Sequence, residues 1–416
     1  MEHIDIYPPD KLKGRICLPA SKSISNRALI INALSDGKQF PENLSDCDDT
    51  RVMLQALQEM PETIDIGAAG TAMRFLTAYL CVKPGTHVIT GTERMRHRPI
   101  GILVDALREL GAHIEYVGEE GFPPLRITGS SALVGGTLTV PGNVSSQYVS
   151  ALLMIAPTLK NGLRLKLTGE IASRPYLDMT LTMMSDFGAE ARWVGTDAIE
   201  VCPVPYKNRP YFVESDWSAA SYWYEIVALS KDLKAEVELK GLRLNSIQGD
   251  SRVWDLFLKW GVNTTSYRDA DSTPIVFLSK KDTVVDDFKG DFTHQPDLAQ
   301  TVVVTCALLD IPFDLSGLQS LRIKETDRIA ALCRELEKLG YPLECTDCSM
   351  KWDGSHTREE IKTELEIATY DDHRMAMAFA PVCLRTSHIR IQHPEVVTKS
   401  YPAFWTHLKQ IGFRVQ

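Results

Sequence analysis

The chain has 416 residues, 44% of them hydrophobic and 24% charged, with a formal net charge of −9 at pH 7. That length exceeds one ordinary hydrophobic core and predicts two domains of about 200 residues. The acidic balance excludes a nucleic-acid surface, which needs a broad basic face, and the sequence has no run of about 18 apolar residues to span a membrane.

The start, Met1-Glu2-His3-Ile4-Asp5, lacks the basic-then-apolar order of a secretory signal, so a cytoplasmic location is expected. Ile4-Asp5-Ile6-Tyr7 reads as a strand. The stretch Pro19-Ala20-Ser21-Lys22-Ser23-Ile24-Ser25-Asn26-Arg27 reads as a strand end, a hydroxyl turn and a helix opening. A helix N-terminus exposes unpaired N–H groups with a partial positive charge, and Lys22 and Arg27 add two cations beside it. Residues 25–34 are apolar nearly all round, which predicts a buried helix. Similar openings follow at Gly67 to Thr71, Asn143 to Gln147, Glu214 to Ser218, Thr293 to Asp297 and Tyr370 to Arg374.

A second series interleaves with the first. Gly111, Gly188, Gly261, Gly340 and Gly412 each sit between apolar residues where a helical run gives way to a strand-like one, 77, 73, 79 and 72 residues apart. A glycine just past a helix end is the usual left-handed stop, but its near-constant spacing indicates a repeat. Six units result, each reading strand, capped helix, strand, second helix and a closing pair of strands. The fold class is α/β (α+β), with two similar domains of three βαβαββ-type units around buried helices. The second unit is expected to be short and to lack its closing hairpin, because only residues 62–66 separate a helix ending near Met60-Pro61 from Gly67. The chain is expected to cross between domains at Pro203 to Pro210, giving a continuous domain 20–213 and a discontinuous one made of 1–19 plus 214–416.

Nine cysteines, an odd and scattered set, fall mostly in apolar runs such as those around Cys81, Cys306, Cys333 and Cys383, which predicts reduced core thiols. Cys345-Thr346-Asp347-Cys348 is a lone C-x-x-C without a second pair at zinc spacing, so no metal is expected. The helix openings, or segments near them, collect hydroxyls, amides and cations with a few carboxylates. If they converge, they form an anion site with proton transfer in an interdomain cleft.

Several long motifs carry a family resemblance: Leu18-Pro19-Ala20-Ser21-Lys22-Ser23, Ala69-Gly70-Thr71-Ala72-Met73-Arg74, Arg98-Pro99-Ile100, Val144-Ser145-Ser146-Gln147, Ile323-Lys324-Glu325-Thr326-Asp327-Arg328 and Asp372-His373-Arg374-Met375-Ala376-Met377. Together and in this order, almost end to end, the chain resembles the 5-enolpyruvylshikimate-3-phosphate synthase family. The resemblance implies transfer of the enolpyruvyl group of phosphoenolpyruvate to the 5-hydroxyl of shikimate 3-phosphate, on the route to chorismate and the aromatic amino acids, by addition and elimination with release of phosphate. It implies that Lys22, Ser23, Arg27, Ser145, Ser146, Gln147, Ser173, Tyr176, Asp297, Ser320 and Lys324 bind shikimate 3-phosphate. Phosphoenolpyruvate would fall to Lys22, Gly70, Arg98, Gln147, Arg328, Arg374 and Lys399. Lys22, Asp297 and Glu325 would carry the proton transfers, Asp297 at the hydroxyl and Glu325 at C3. The partners expected are these two small molecules, taken up with domain closure by a monomer, with no cofactor, metal, nucleic acid or membrane.

Three positions depart from the family pattern: Ala68 stands for an asparagine, Phe75 for a proline after Met-Arg, and Ser320 for an asparagine near the shikimate ring. Two other readings are a related enolpyruvyl transferase acting on a UDP-linked amino sugar and a phosphate-binding module without turnover. The first expects a reactive cysteine in residues 90–98, where none occurs, and the second does not account for Lys22, Asp297, Glu325 and His373-Arg374 together.

Overall fold

In Leu163-Arg164-Leu165-Lys166-Leu167-Thr168 a period of two puts three leucines on one face and the polar residues on the other, and burial alternates in the same rhythm along the strand. That strand lies second in a four-stranded sheet, between Gly136–Pro141, to which it is parallel, and Ala198–Val201, to which it is antiparallel; Ala191–Val194 forms the edge. A parallel pair needs a crossover, here the helix Ser146–Ile155, and the helix Arg174–Asp186 leads to the closing hairpin. The unit is therefore βαβαββ. The computed structural model describes residues 2–37, 39–356 and 365–416.

The chain divides into two compact units, Ala20–Val213 and Met1–Pro19 with Glu214–Gln416. The continuous unit repeats the pattern with strands Thr63–Asp65, Gly85–Thr90, His113–Tyr116 and Leu125–Gly129. In the discontinuous unit three sheets have the same order. Two of them draw on the N-terminal residues: Lys13–Cys17 runs parallel to Glu236–Lys240, with Gly14 opposite Val237, while His3–Tyr7 runs antiparallel to Ile389–Gln392, with Ile4 opposite Ile391. All five glycines of the helix-to-strand series have left-handed φ, between +74° and +99°.

The opening of the continuous unit differs from the expectation. Helices Lys22–Leu34 and Asp48–Glu59 have no sheet of their own among the described residues, and the segment between them forms the bridge Glu42 to Phe212. The shortening thus belongs to the unit opened at Ser21 and removes a whole sheet, not one hairpin. Helix Asp48–Glu59 packs on Lys22–Leu34 instead, joined to it by the Thr50 hydroxyl donating to Asn26 at 2.9 Å; nearby, the Ser45 N–H donates to Ser25 Oγ at 2.9 Å.

Each unit is built round three buried helices that pack on one another: Lys22–Leu34, Gly70–Val82 and Ser146–Ile155 in one, Trp217–Leu229, Ala299–Leu308 and His373–Phe379 in the other. All thirteen residues of Gly70–Val82 are buried, so its hydroxyls must bond locally, and Thr77 donates to the Met73 carbonyl at 2.7 Å. Glu225 is the opposite case: it is fully buried in Trp217–Leu229 with neither carboxyl oxygen hydrogen-bonded, and burial drives its pKa well above the ordinary value.

The cysteine expectation also needs correcting. Cys333 is bridged to Cys345, while seven cysteines are free. An apolar run does not reveal which helix face a residue occupies: Arg328–Lys338 is amphipathic, and Cys333 lies on its half-buried margin beside the exposed edge strand Glu344–Cys345.

Candidate active site

In the continuous unit the polar side chains gather where the buried helices begin. Ser21 caps its helix, accepting from the Ile24 N–H at 3.4 Å, and Ser145 caps Ser146–Ile155, accepting from the Gln147 N–H at 3.3 Å. The Gln147 amide donates to Thr71 Oγ1 at 3.2 Å, which brings two of these helix openings to one place. Gly70 lies against cations: a Cβ there would stand 2.7 Å from Arg98 Nη1 and 2.9 Å from Arg74 Nη1, so no larger residue fits without displacing a guanidinium. Arg74 donates back to the Gly70 carbonyl at 2.9 Å. Lys22 Nζ stands 3.9 Å from Asp49.

Arg27 is only 2% exposed. Its Nε donates to Thr180 Oγ1 at 2.7 Å, Nη1 to the Ser23 carbonyl at 3.0 Å and Nη2 to Ser150 Oγ at 3.1 Å. Its guanidinium lies 5.3 Å from the centre of the Phe75 ring and 6.0 Å from that of Tyr176. Desolvation pulls its pKa down to about 10, which leaves it charged at neutral pH and in need of its surrounding acceptors. Ser173 precedes Arg174–Asp186 in the left-handed region, at φ 54°, three residues before Tyr176. Ser23 and Ser146 lie in the first turns of their own helices.

In the discontinuous unit six of the sequence candidates form one ionic network. The carboxylate of Asp297 accepts from Arg374 Nη2 at 2.9 Å and Arg328 Nη1 at 3.2 Å, with Lys324 Nζ at 3.6 Å. Arg328 also donates to Glu325 at 2.8 Å, and Lys399 Nζ stands 3.7 Å from the other Glu325 oxygen. Asp297 is not a helix cap, since its oxygens are taken by these side chains, and Glu325 is 13% exposed, not a member of an exposed helix-face pair. Ser320 lies one turn before Lys324, in Gln319–Ile323.

Two further carboxylates of this unit, Asp372 and Asp250, lie beside the network without being sequence candidates. Asp372, fully buried, binds Arg328 Nε at 2.7 Å and accepts from the Arg374 N–H at 2.9 Å, capping His373–Phe379. Its place two residues before Arg374 in a quoted motif was the available signal. Asp250 accepts from the Ser218 hydroxyl, and no spacing in the sequence points to it. Burial, with Asp297 adding to it, pushes the Asp250 carboxyl up to about 7. Burial would raise Asp297 as well, but Arg374, Lys324 and Arg328 outweigh it and hold that carboxyl well below the ordinary range.

The family model for EPSP synthase (3-phosphoshikimate 1-carboxyvinyltransferase) matches residues 6–65 and 58–408. The chain belongs to the EPSP synthase family. A 3-phosphoshikimate 1-carboxyvinyltransferase of Bacteroides fragilis is 59% identical over 409 residues, covering 98% of this chain and 97% of that one. A protein of the same name from Vibrio cholerae is 37% identical over 442 residues, covering 99% and 100%. The solved EPSP synthase of Acinetobacter baumannii, 23% identical, matches the fold with a TM-score of 0.78 over the whole of both chains. Of the three departures from the family pattern, Ala68 is exposed just before the opening of Gly70–Val82, Phe75 is buried beneath Arg27, and Ser320 is half-buried. Among the described residues no helix is long and apolar enough to cross a membrane.

Proposed function

We propose that this member of the EPSP synthase family joins phosphoenolpyruvate to shikimate 3-phosphate with the residues described above. The observation that carries the reading is Asp297, a carboxylate surrounded by Arg374, Arg328 and Lys324. Two phosphorylated acids brought together repel each other, and a cluster of cations offsets that repulsion in a low-dielectric site. Arg328, Arg374 and Lys399, with Gly70, Arg98 and Gln147, receive phosphoenolpyruvate. Ser23, Arg27, Ser145, Ser146, Ser173, Tyr176, Ser320 and Lys324 receive shikimate 3-phosphate, and Lys22 serves both.

In the addition step the 5-hydroxyl oxygen bonds to C2 of phosphoenolpyruvate and gives its proton to Asp297, while C3 takes a proton from Glu325 and becomes a methyl group. In the elimination step the C2–O bond to phosphate breaks, the departing phosphate takes up the proton held by Asp297, and C3 returns a proton to Glu325, which restores the double bond and both carboxyl groups. A carboxylate held by three cations is a weak base. Substrate phosphate and carboxylate groups compete for those same cations, and each donor they take raises the basicity of Asp297, so the base becomes effective only once substrate is bound. We place the reaction in the cytoplasm, catalysed by a monomer with no nucleic-acid partner.

The test is phosphate release from purified protein given both substrates, against each alone. Release that requires both is the expected result. Binding of both without release would make the chain a phosphate-binding module, and release with a UDP-linked amino sugar in place of shikimate 3-phosphate would assign the related transfer.

A further inference from the structure

The cysteines outside the ionic network form a second chemical group. Cys333, on helix Arg328–Lys338, is bridged to Cys345 on the edge strand Glu344–Cys345, and the free thiol of Cys348 lies exposed three residues further along the same turn. This turn is tied to the segment that carries the proposed proton donor. Arg322 donates to the Thr346 carbonyl at 3.0 Å and stands 3.2 Å from Asp347, while its other terminal nitrogen donates to Asp327 at 2.6 Å. Asp327 caps Arg328–Lys338, accepting from the Ala330 N–H at 3.1 Å. The Leu318 N–H donates to the Cys348 carbonyl at 2.9 Å. Residues 346–348 thus hold Leu318 and Arg322, and through Arg322 the cap Asp327, of the stretch from Leu318 to Arg328, which contains Ser320, Lys324 and Glu325.

We propose that Cys333, Cys345 and Cys348 form a thiol–disulfide exchange site that sets the order of this stretch. The Cys348 thiolate attacks Cys345 Sγ, a Cys345–Cys348 bond forms, the Cys333–Cys345 bond breaks, and Cys333 leaves as a thiolate that takes up a proton; no net oxidation occurs. A dithiol reductant then opens the exposed Cys345–Cys348 pair and leaves three thiols. The reaction is local because attacker and target lie in one four-residue turn, and Cys345 and Cys348 are exposed whereas Cys333 is half-buried. Once Cys345 turns toward Cys348, the edge strand loses its covalent link to the helix and its pairing with Met350, and the Arg322 contact to Thr346 is lost with it. Lys324 and Glu325 then lose their support from one side.

The experiment uses the full chain, incubated with dithiothreitol at graded concentrations and quenched with an alkylating reagent. Cross-links are mapped by peptide mass spectrometry, and amide hydrogen exchange is followed over residues 318–328. The expected results are both cross-links, Cys333–Cys345 and Cys345–Cys348, in wild type, and opening of Cys333–Cys345 slowed by about tenfold or more in Cys348→Ser. Exchange over 318–328 should be faster in the opened protein and in Cys333→Ser. Equal opening rates in wild type and Cys348→Ser overturn the exchange site, and unchanged amide exchange overturns its link to the site segment. The catalytic consequence rests on the function proposed above: opening should lower kcat/KM by about fivefold, the effect of losing one hydrogen bond of ordinary strength. Failure to release phosphate in either state would count against that function alone, since the cross-links and amide exchange are read without turnover.

Discussion

The two polar clusters solve the same problem in different ways. Around Arg328 the protein compensates charge with charge: Asp372, Glu325 and Asp297 lie against one guanidinium that is 1% exposed. Around Arg27 it uses hydroxyls, a carbonyl and aromatic rings, so the cation stays desolvated and its pKa falls, whereas burial lowers Arg328 too but its carboxylates more than reverse the effect. A cation held by neutral groups keeps its attraction for an incoming anion. One held by carboxylates must exchange partners when an anion arrives, and that exchange frees a carboxylate to accept a proton. The contrast suits the Arg27 cluster to binding and the Asp297 cluster to chemistry.

The strongest way to break this comparison is Asp297→Asn. It keeps the shape and removes the base, so kcat should fall by about 10²–10⁴-fold, and because it leaves Arg374, Arg328 and Lys324 short of a carboxylate the unfolding midpoint should fall as well. Steady-state phosphate release alongside denaturant unfolding measures both, and an unchanged kcat would remove Asp297 from the proton transfer. Arg328→Met should act first on the fold. It leaves Asp372, Glu325 and Asp297 without their shared cation, and breaking a buried pair from one side costs about 3–5 kcal/mol. A loss below about 1 kcal/mol in urea unfolding would mean that Arg374, Lys324 and Lys399 compensate those carboxylates unaided.

How far the sequence reveals this arrangement depends on whether a signal is local or distant. A helix-ending glycine is dictated by its own backbone, so five of them at near-equal spacing expose the repeat, and each is left-handed in the structure. Lys324, Glu325 and Arg328 share one motif, and their convergence with Asp297 and Arg374 follows from the repeat bringing helix openings together. The acceptors around Arg27 are a different matter. Ser150 and Thr180 lie 123 and 153 residues away from it, and a lone hydroxyl on a buried helix resembles one bonded to its own backbone. The place of the shortening is not legible in the sequence, because residues 62–66 are short enough to suggest a lost closing hairpin in the second unit, while the lack of strands among the described residues between the first two helices leaves no positive mark. The Cys333 bridge was hidden for a similar reason, since hydropathy along the chain does not say which side of a helix a thiol faces.

Glu225 sharpens the comparison from within the same unit, as a buried carboxyl without the cations that surround Asp297. Its folded pKa is raised, so below the unfolded value of about 4.3 both states are protonated and the group makes no pH-dependent contribution. As pH rises through that value the unfolded chain ionises while the folded chain keeps its proton, and stability falls by about 1.4 kcal/mol per pH unit until the folded pKa is reached. Glu225→Leu should therefore be more stable than wild type at neutral pH by about 1–3 kcal/mol, with the advantage shrinking as pH is lowered toward 4.5. Unfolding midpoints at several pH values measure this, and a pH-independent difference would show that Glu225 is ionised in the folded protein.

The smallest effect concerns the binding side. Ala68 is exposed just before the Gly70 turn and its two guanidinium groups, where the family usually carries an asparagine. Arg98 and the helix N-terminus are charged or dipolar groups already present there, so a side-chain amide adds one neutral hydrogen bond to an anion that charged donors already hold, worth about 1 kcal/mol. Ala68→Asn should lower the KM for phosphoenolpyruvate by about fivefold and leave kcat nearly unchanged, because a contact made equally in the ground and transition states alters binding without altering turnover. An unchanged KM would mean that the cations around Gly70 already satisfy that substrate. A rise in kcat instead would mean that the amide acts on the transition state, and the Gly70 turn would then contribute to the chemistry as well as to binding.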